Sequence, residues 1–366
     1  MIERICLGCG AKLQDIEETK PGFVPNLTKE TKYCKRCFRL MNYNELPKIV
    51  ATNSEYEDVI DSVIKKNGLI VFLVDIFSFK STFNEKLFNK LRNKNVILVA
   101  NKYDVFPKSL NVSKIVEWLS KQCEKIFFRV DAIHIVSSKK GYFIDELTNT
   151  IDMLRRGRDV YFIGCANVGK SSLINALLKR NTSIKNDVIS TSVIPGTTLK
   201  DIKIEFFDDG KYLIDTPGLI NEADVLNQLL PKSYSKIMPK TEIKPITYQI
   251  ENGNAIFVSG LLSMEFETNE KLSVILYTSN ELYIHRCKSE KVNDLYKNQL
   301  GKILNPPLPE EVDNLKYLEK EIIFKSIEHK NLWFSGFGFV VIKGNTKVKI
   351  KYLDKTEVYL TDAIIG

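Results

Sequence analysis

The 366-residue chain is predicted to be an α/β protein built on one parallel sheet, with a four-cysteine module before the sheet and a mostly β domain after it. Three observations lead there. Gly164–Ser171 reads GCANVGKS, a G-x-x-x-x-G-K-[ST] phosphate loop, between the apolar run Val160–Ile163 and the helix-forming SLINALLKR. From about residue 48, buried-strand runs alternate with amphipathic helical runs, the pattern of a parallel sheet covered on both faces. Past residue 225, Pro231, Pro239 and Pro245 punctuate a lysine-rich linker, and short alternating runs follow. The divisions predicted are 1–45, 46–225 and 226–366.

Taken in order, Cys6-x-x-Cys9 and Cys34-x-x-Cys37 come first, with 24 residues between the pairs. Two such hairpins place four thiolates on a tetrahedral ion, so Zn²⁺ in a closed, structural site is expected. Disulfides are disfavoured in a cytosolic chain, and no thioredoxin-like strand–helix context surrounds either pair. Lys32, Lys35, Arg36 and Arg39 beside the second pair either contact nucleic acid or offset the thiolate charge. Cys123, Cys165 and Cys287 read as buried small hydrophobes, with Cys165 in the phosphate loop open to oxidation.

Helices are expected at 55–66, 84–93, 112–124 and 143–155, and strands at 69–75, 95–100, 133–137 and 160–163. In the C-terminal part, strands are expected at 247–251, 255–259, 272–278, 282–286, 322–327, 339–343, 347–352 and 358–360, with a helix at 291–304 that ends before Pro306-Pro307. Open α/β sheets bind ligands at the carboxyl ends of their strands, and every candidate motif falls there.

The net charge of +8 (53 basic against 45 acidic residues) suits an anionic partner, though it also suits plain solubility. The most apolar segment, Gly68–Phe77, is too short to cross a bilayer and contains Asp75. MIERICLGCG has no apolar core or cleavage site of a secretory signal. A soluble, cytoplasmic protein with no membrane or DNA partner is expected.

In the phosphate loop, Gly164, Asn167, Val168, Gly169, Lys170, Ser171 and Ser172 wrap phosphates with backbone N–H groups at a helix N-terminus. Lys170 reaches the β- and γ-phosphates, and the Ser171 hydroxyl ligates Mg²⁺. Four further stretches narrow the ligand to a guanine nucleotide. In Asn101-Lys102-Tyr103-Asp104, the Asp104 carboxylate accepts from guanine N1–H and the exocyclic amine, a donor pair adenine lacks. Asn101 braces the loops, and the Lys102 stem packs on the base. Ser137-Ser138-Lys139 stands where related proteins carry S-A-K, whose backbone N–H meets guanine O6, with serine here in place of alanine. Asp215-Thr216-Pro217-Gly218 holds Mg²⁺ through water (Asp215) and meets the γ-phosphate (the Gly218 N–H). In Pro195-Gly196-Thr197-Thr198 one threonine ligates Mg²⁺, Thr198 being preferred and Thr197 the runner-up.

The order is reversed. Asn101 precedes Gly164 by 63 residues, and Ser137 precedes it too, so one circularly permuted domain is the economical reading. With these motifs the chain resembles the circularly permuted bacterial GTPases of ribosome assembly, of the YqeH type. The four-cysteine module, NKYDVFPKSL, GCANVGKSS, PGTTL, DTPG and the late Phe334-Ser335-Gly336 carry the resemblance over essentially the whole chain. It implies GTP hydrolysis coupled to maturation of the small (30S) ribosomal subunit, and a C-terminal domain that engages ribosomal RNA. The alternative is a zinc-containing RNA-binding adaptor in which GTP is a static clamp.

Lys170, Thr198 and Gly218 are the candidate catalytic groups. Leu219 stands where a water-orienting glutamine is found in Ras-like enzymes, so slow intrinsic hydrolysis is expected. The resemblance gives Asn167 a role in holding K⁺, while its residue type also suits a left-handed loop position. If the ion is used, K⁺ raises the rate over Na⁺ and Asn167→Ala abolishes the difference. Trp333, Phe334, Phe337 and Phe339, followed by Lys347, Lys349 and Lys351, either stack bases and track phosphates or form a solvated face above an aromatic core.

Overall fold

The computed structural model describes residues 4–6, 11–18, 20, 22–28, 30–35, 38, 50–51, 53–83, 85–108, 110–165, 167–180, 202–219, 229–325 and 330–364. The chain divides into two compact units. The first is Met1–Ile76, Thr82–Asp104 and Leu119–Asn221; the second is Phe77–Ser81, Val105–Trp118 and Glu222–Gly366.

The first unit is built on six strands: β2 (Leu69–Asp75), β3 (Asn95–Asn101), β4 (Ala132–Ile135), β5 (Val160–Gly164), β6 (Ile202–Glu205) and β7 (Tyr212–Asp215). Their order is β4-β3-β2-β5-β7-β6, parallel except for β6. Every residue of β2 and β5 is buried, which is why both read as continuous apolar runs. Helices α1 (Asn53–Lys65), α2 (Glu85–Leu91), α3 (Val112–Lys125, of which the part up to Trp118 belongs to the second unit), α4 (Ile144–Arg155) and α5 (Lys170–Arg180) join them. Counted from β5, the strand order becomes 2-3-1-4-5-6, one uninterrupted sheet whose chain enters in the middle. The residues between α4 and β5, 156–159, close the connection in one tight turn through left-handed Arg156 and Gly157. A further two-residue strand, β1 (Val50–Ala51), pairs in parallel with β8 (Gly218–Leu219).

The second unit is mostly β. Strands β9 (Ile246–Ile250), β12 (Leu272–Thr278), β15 (Lys330–Phe334), β16 (Gly338–Lys343) and β18 (Val358–Asp362) form one sheet in the order β18-β15-β16-β12-β9. Strands β10 (Asn254–Val258), β11 (Leu262–Glu267), β13 (Ile284–Lys288), β14 (Tyr317–Phe324) and β17 (Thr346–Leu353) form the other, β13-β10-β11-β17-β14. Alternate residues of both, among them Val258, Met264, Leu276, Phe334, Val340 and Ile350, make a common core. Helix α7 (Val292–Gln299) covers Ala255 and Phe257 on the far side of the β10 sheet.

Three features differ from expectation. The lysine-rich linker contains a helix, α6 (Pro231–Ile237), which opens on proline at a position where no N–H is needed, and whose Ile237 is buried in the β core. The helix expected over 291–304 stops at Gln299. Strands β6, β11 and β15 and the short pair β1 and β8 were not anticipated.

The aromatic stretch is core. Trp333, Phe334, Phe337 and Phe339 are all buried, so none of them offers a face for stacking a base. Trp333 stacks on Trp118 at 5.8 Å, Phe339 lies on Tyr277 at 4.6 Å, and Phe79 meets Trp118 edge-on at 4.7 Å. The Trp118 indole N–H donates to Asp362 O at 3.1 Å. These contacts put Phe77–Ser81 and Val105–Trp118 in the C-terminal unit, although each follows a strand of the parallel sheet. The lysine stripe is matched by acids on neighbouring strands. Lys347 pairs with Glu321 at 3.0 Å, Lys349 with Glu319 at 2.9 Å, and Lys351 with Glu319 at 3.5 Å. The Lys349 hydrogen bond holds Glu319 below the usual carboxylate range. Cross-strand pairing, and not a phosphate track, accounts for the spacing of two.

Candidate nucleotide-binding site

The motif loops that follow β3, β4, β5 and β7 meet at the carboxyl ends of the parallel strands. The phosphate loop leaves β5 and enters α5, and Lys170 is the first residue of that helix. At Gly164 a Cβ would come 2.7 Å from Leu73 O, so only glycine lets β5 pass β2 this closely. At Gly169 (φ 93°) a Cβ would come 2.2 Å from the Asn101 side-chain nitrogen. That second approach locks the phosphate loop to the base-reading loop.

Asn101 makes the junction. Its Nδ2 donates to Val168 O at 2.8 Å, and its Oδ1 accepts from the Ser138 N–H at 3.0 Å and from the Ser138 hydroxyl at 2.8 Å. One buried amide thus ties together the three loops that follow β3, β4 and β5. The Ser137 hydroxyl donates to Asp104 Oδ1 at 2.6 Å and accepts from the Lys140 N–H at 3.0 Å. The Lys140 bond places the Ser137 oxygen, and its proton goes to Asp104 because a carboxylate can only accept. Lys139 is exposed beside this loop.

Lys170 and Asp215 are both buried, with Nζ 2.5 Å from Oδ1, and Lys170 also donates to Thr216 O. Thr216 anchors the loop after β7 through its hydroxyl, 2.7 Å from Phe162 O. This pair sits where the lysine is expected to meet phosphate and the aspartate to serve Mg²⁺. Gly218 lies in β8, directly after that anchor. Asn167 is exposed with φ 65°, the left-handed geometry its residue type allows. Val168 is fully buried, Ser171 half-buried and Ser172 exposed. Thr197 and Thr198 lie outside the described residues.

One residue of the site was missed from sequence. Asp75 ends β2 and is 2 % exposed, and its Oδ2 lies 2.6 Å from Lys102 Nζ. The signal was present, since a carboxylate closing the most apolar run in the chain needs a partner.

In the cysteine module, Cys6 and Cys34 are both buried, and the Cys34 N–H donates to Cys6 Sγ at 3.1 Å. Amide donation suits a metal-ligating sulfur, and the Cys6 N–H donates to Ala11 O at 2.8 Å. Cys9 and Cys37 lie outside the described residues, among which no group of three or more metal-ligating side chains gathers. Cys123 is a thiol at neutral pH, burial pushing it up to about 12. Cys165 is 4 % exposed. No helix among the described residues is long and apolar enough to cross a membrane.

A phosphate loop and an N-K-x-D loop clamped into one site on a parallel sheet define a P-loop GTPase domain, here with its motifs in permuted order. Residues 159–279 match the family described as 50S ribosome-binding GTPase, and residues 271–364 match the family described as YqeH-like, C-terminal. The chain is 35% identical over 353 residues to the Bacillus subtilis protein YqeH, covering 96% of each. It is 29% identical over 348 residues to Arabidopsis thaliana NO-associated protein 1, covering 82% of this chain and 62% of the plant protein. The Aquifex aeolicus GTPase Der is 32% identical over 180 residues, 47% of this chain and 39% of that one. The chain therefore belongs to the YqeH-like family of circularly permuted GTPases. Its domain is that of a GTP-binding, GTP-hydrolysing family that works with Mg²⁺.

Proposed function

We propose that the protein is a slow GTP-hydrolysing switch that binds an assembling ribosomal subunit. The observation that supports a switch is the place of Gly218. Its N–H is the expected γ-phosphate sensor, and it lies in β8, paired with β1, the segment that follows the cysteine module. A change at Gly218 is thus passed to β1 on one side and, on the other, to the chain that continues into the C-terminal unit. Order–disorder switches of other GTPases work from the same point.

Ser171, Thr198 and Asp215 are the residues that would hold Mg²⁺, which would supply positive charge to the β- and γ-phosphates when bound. Lys170 supplies a second positive charge to the transferring phosphoryl group. Leu219 cannot orient water, so an unassisted rate on the order of 10⁻⁴ to 10⁻² s⁻¹ is expected. We assign Asn167 to a K⁺ ion that replaces the missing group. Equal turnover in K⁺ and Na⁺ removes that assignment. Cys6, Cys9, Cys34 and Cys37 hold a structural Zn²⁺ in this proposal.

The ribosomal partner rests on the resemblance, which implies the small subunit, and on the matched family's description, which names the large one. Co-sedimentation with separated 30S and 50S particles, in GTP analogue, GDP and no nucleotide, distinguishes them. Nucleotide-dependent binding to small subunits or their precursors is expected, with hydrolysis stimulated by the particle. Binding that ignores the nucleotide, with no turnover, supports the static adaptor instead.

A further inference from the structure

We infer that Asp75 is a positioning residue of the guanine pocket: it anchors the Lys102 ammonium so that the lysine's aliphatic stem stands as a fixed wall for the base. The inference rests on reading Asn101–Asp104 as the base-reading loop.

Asp75 is the last residue of β2, a strand with β3 on one side and β5 on the other, and it stands opposite Asn101 in the β2–β3 register. Its side chain is 3% exposed, and such a carboxylate is costly without a cationic partner. Lys102 is that partner, with Nζ at 2.6 Å from Oδ2, the distance of a charge-assisted hydrogen bond. Lys102 holds a left-handed backbone (φ 69°), unusual for a long side chain. From that geometry the side chain runs back over the loop to the end of β2. The loop backbone is fixed by other bonds: Ile76 N–H to Asn101 O at 3.2 Å, and Tyr103 N–H to Val136 O at 3.1 Å. The Asp75 N–H is itself bonded to the Thr82 hydroxyl at 2.9 Å. With the main chain held by these bonds, the Asp75 carboxylate acts on the position of the Lys102 side chain. A lysine stem already immobilised loses little rotamer freedom when a base packs on it.

The test is a double-mutant cycle on GDP affinity with Asp75→Asn, Lys102→Met and the pair. Asp75→Asn keeps shape and removes the charge, and about tenfold weaker GDP binding is expected, the size of one newly ordered long side chain. Lys102→Met alone is expected to cost a similar factor. In the Lys102→Met background, Asp75→Asn should change GDP affinity by less than about twofold, since the interaction is already gone. Inorganic tripolyphosphate, which has no base, should bind wild type and Asp75→Asn alike. Should Asp75→Asn not fold, Asp75→Ser alone and with Lys102→Met completes the same cycle. Unchanged GDP affinity in either single variant, additive losses, or an equal loss of tripolyphosphate binding overturns the inference. Failure of the base-loop reading is separable, because wild type would then hold ADP as tightly as GDP.

Discussion

Asparagine in place of Asp104 lowers GDP affinity on the order of 10⁴-fold and turns the preference to xanthine nucleotides, the scale at which polar base sites reject a mismatched partner. The geometry around residue 104 makes the direction definite. Ser137 Oγ receives the Lys140 N–H and donates its own proton to Oδ1 of Asp104, a carboxylate that can only accept. An asparagine that keeps the Ser137 bond turns its carbonyl oxygen toward Ser137, which aims its NH₂ at the base. Guanine presents N1–H and an exocyclic amine, so donor faces donor; xanthine presents an acceptor in place of the amine. Competition of GDP and XDP for a fluorescent guanine nucleotide reads the switch directly. Ser137→Ala together with Asp104→Asn should recover part of the GDP binding, since the amide is then free to flip.

Alanine in place of Lys170 lowers single-turnover GTP hydrolysis by about 10² to 10³, the usual loss for one electrostatic group aimed at a developing charge. The same substitution carries a stability effect of opposite dependence on ligand. The Lys170 ammonium is a close cation of Asp215, both groups being buried. Breaking a buried pair leaves one charge uncompensated and costs about 3–5 kcal/mol. Adding Asp215→Asn should return much of the apo melting temperature while leaving hydrolysis lost. A variant that melts like wild type without nucleotide would show that the Lys170–Asp215 pair does not form in solution.

Which parts of this were legible in the sequence follows from what each depends on. β2 and β5 are buried on both faces, so composition alone marked them, and the strand expected at 69–75 matches to the residue. The phosphate and N-K-x-D loops were legible because a backbone cradle and a carboxylate in register with guanine demand particular residues at fixed spacing. β11 escaped because Ser263 and Glu265 interrupt its apolar residues, although Ser263 is buried. β15 escaped because Trp333 and Phe334 point to opposite faces of a sheet covered on both, so no alternation shows. The lysine stripe misled because its partners, Glu319 and Glu321, are nearly thirty residues away in sequence, and only β14–β17 register brings them opposite. Asp75 was passed over for the same reason: its partner, 27 residues on, is set by the pairing of two parallel strands. Thr197, Thr198, Cys9 and Cys37 fall outside the described residues, so their assignments still rest on sequence.

The claim on which the rest depends is that Asp104 and Lys170 grip the two ends of one nucleotide, although the base-reading residue comes first in the chain. Calorimetric titration of the wild-type protein with GDP and with ADP tests it most directly. One GDP per chain is expected, with ADP weaker by at least about 10³-fold and inorganic tripolyphosphate displaced by GDP. Equal affinity for the two nucleotides, or tripolyphosphate and GDP bound together at separate sites, would contradict the account.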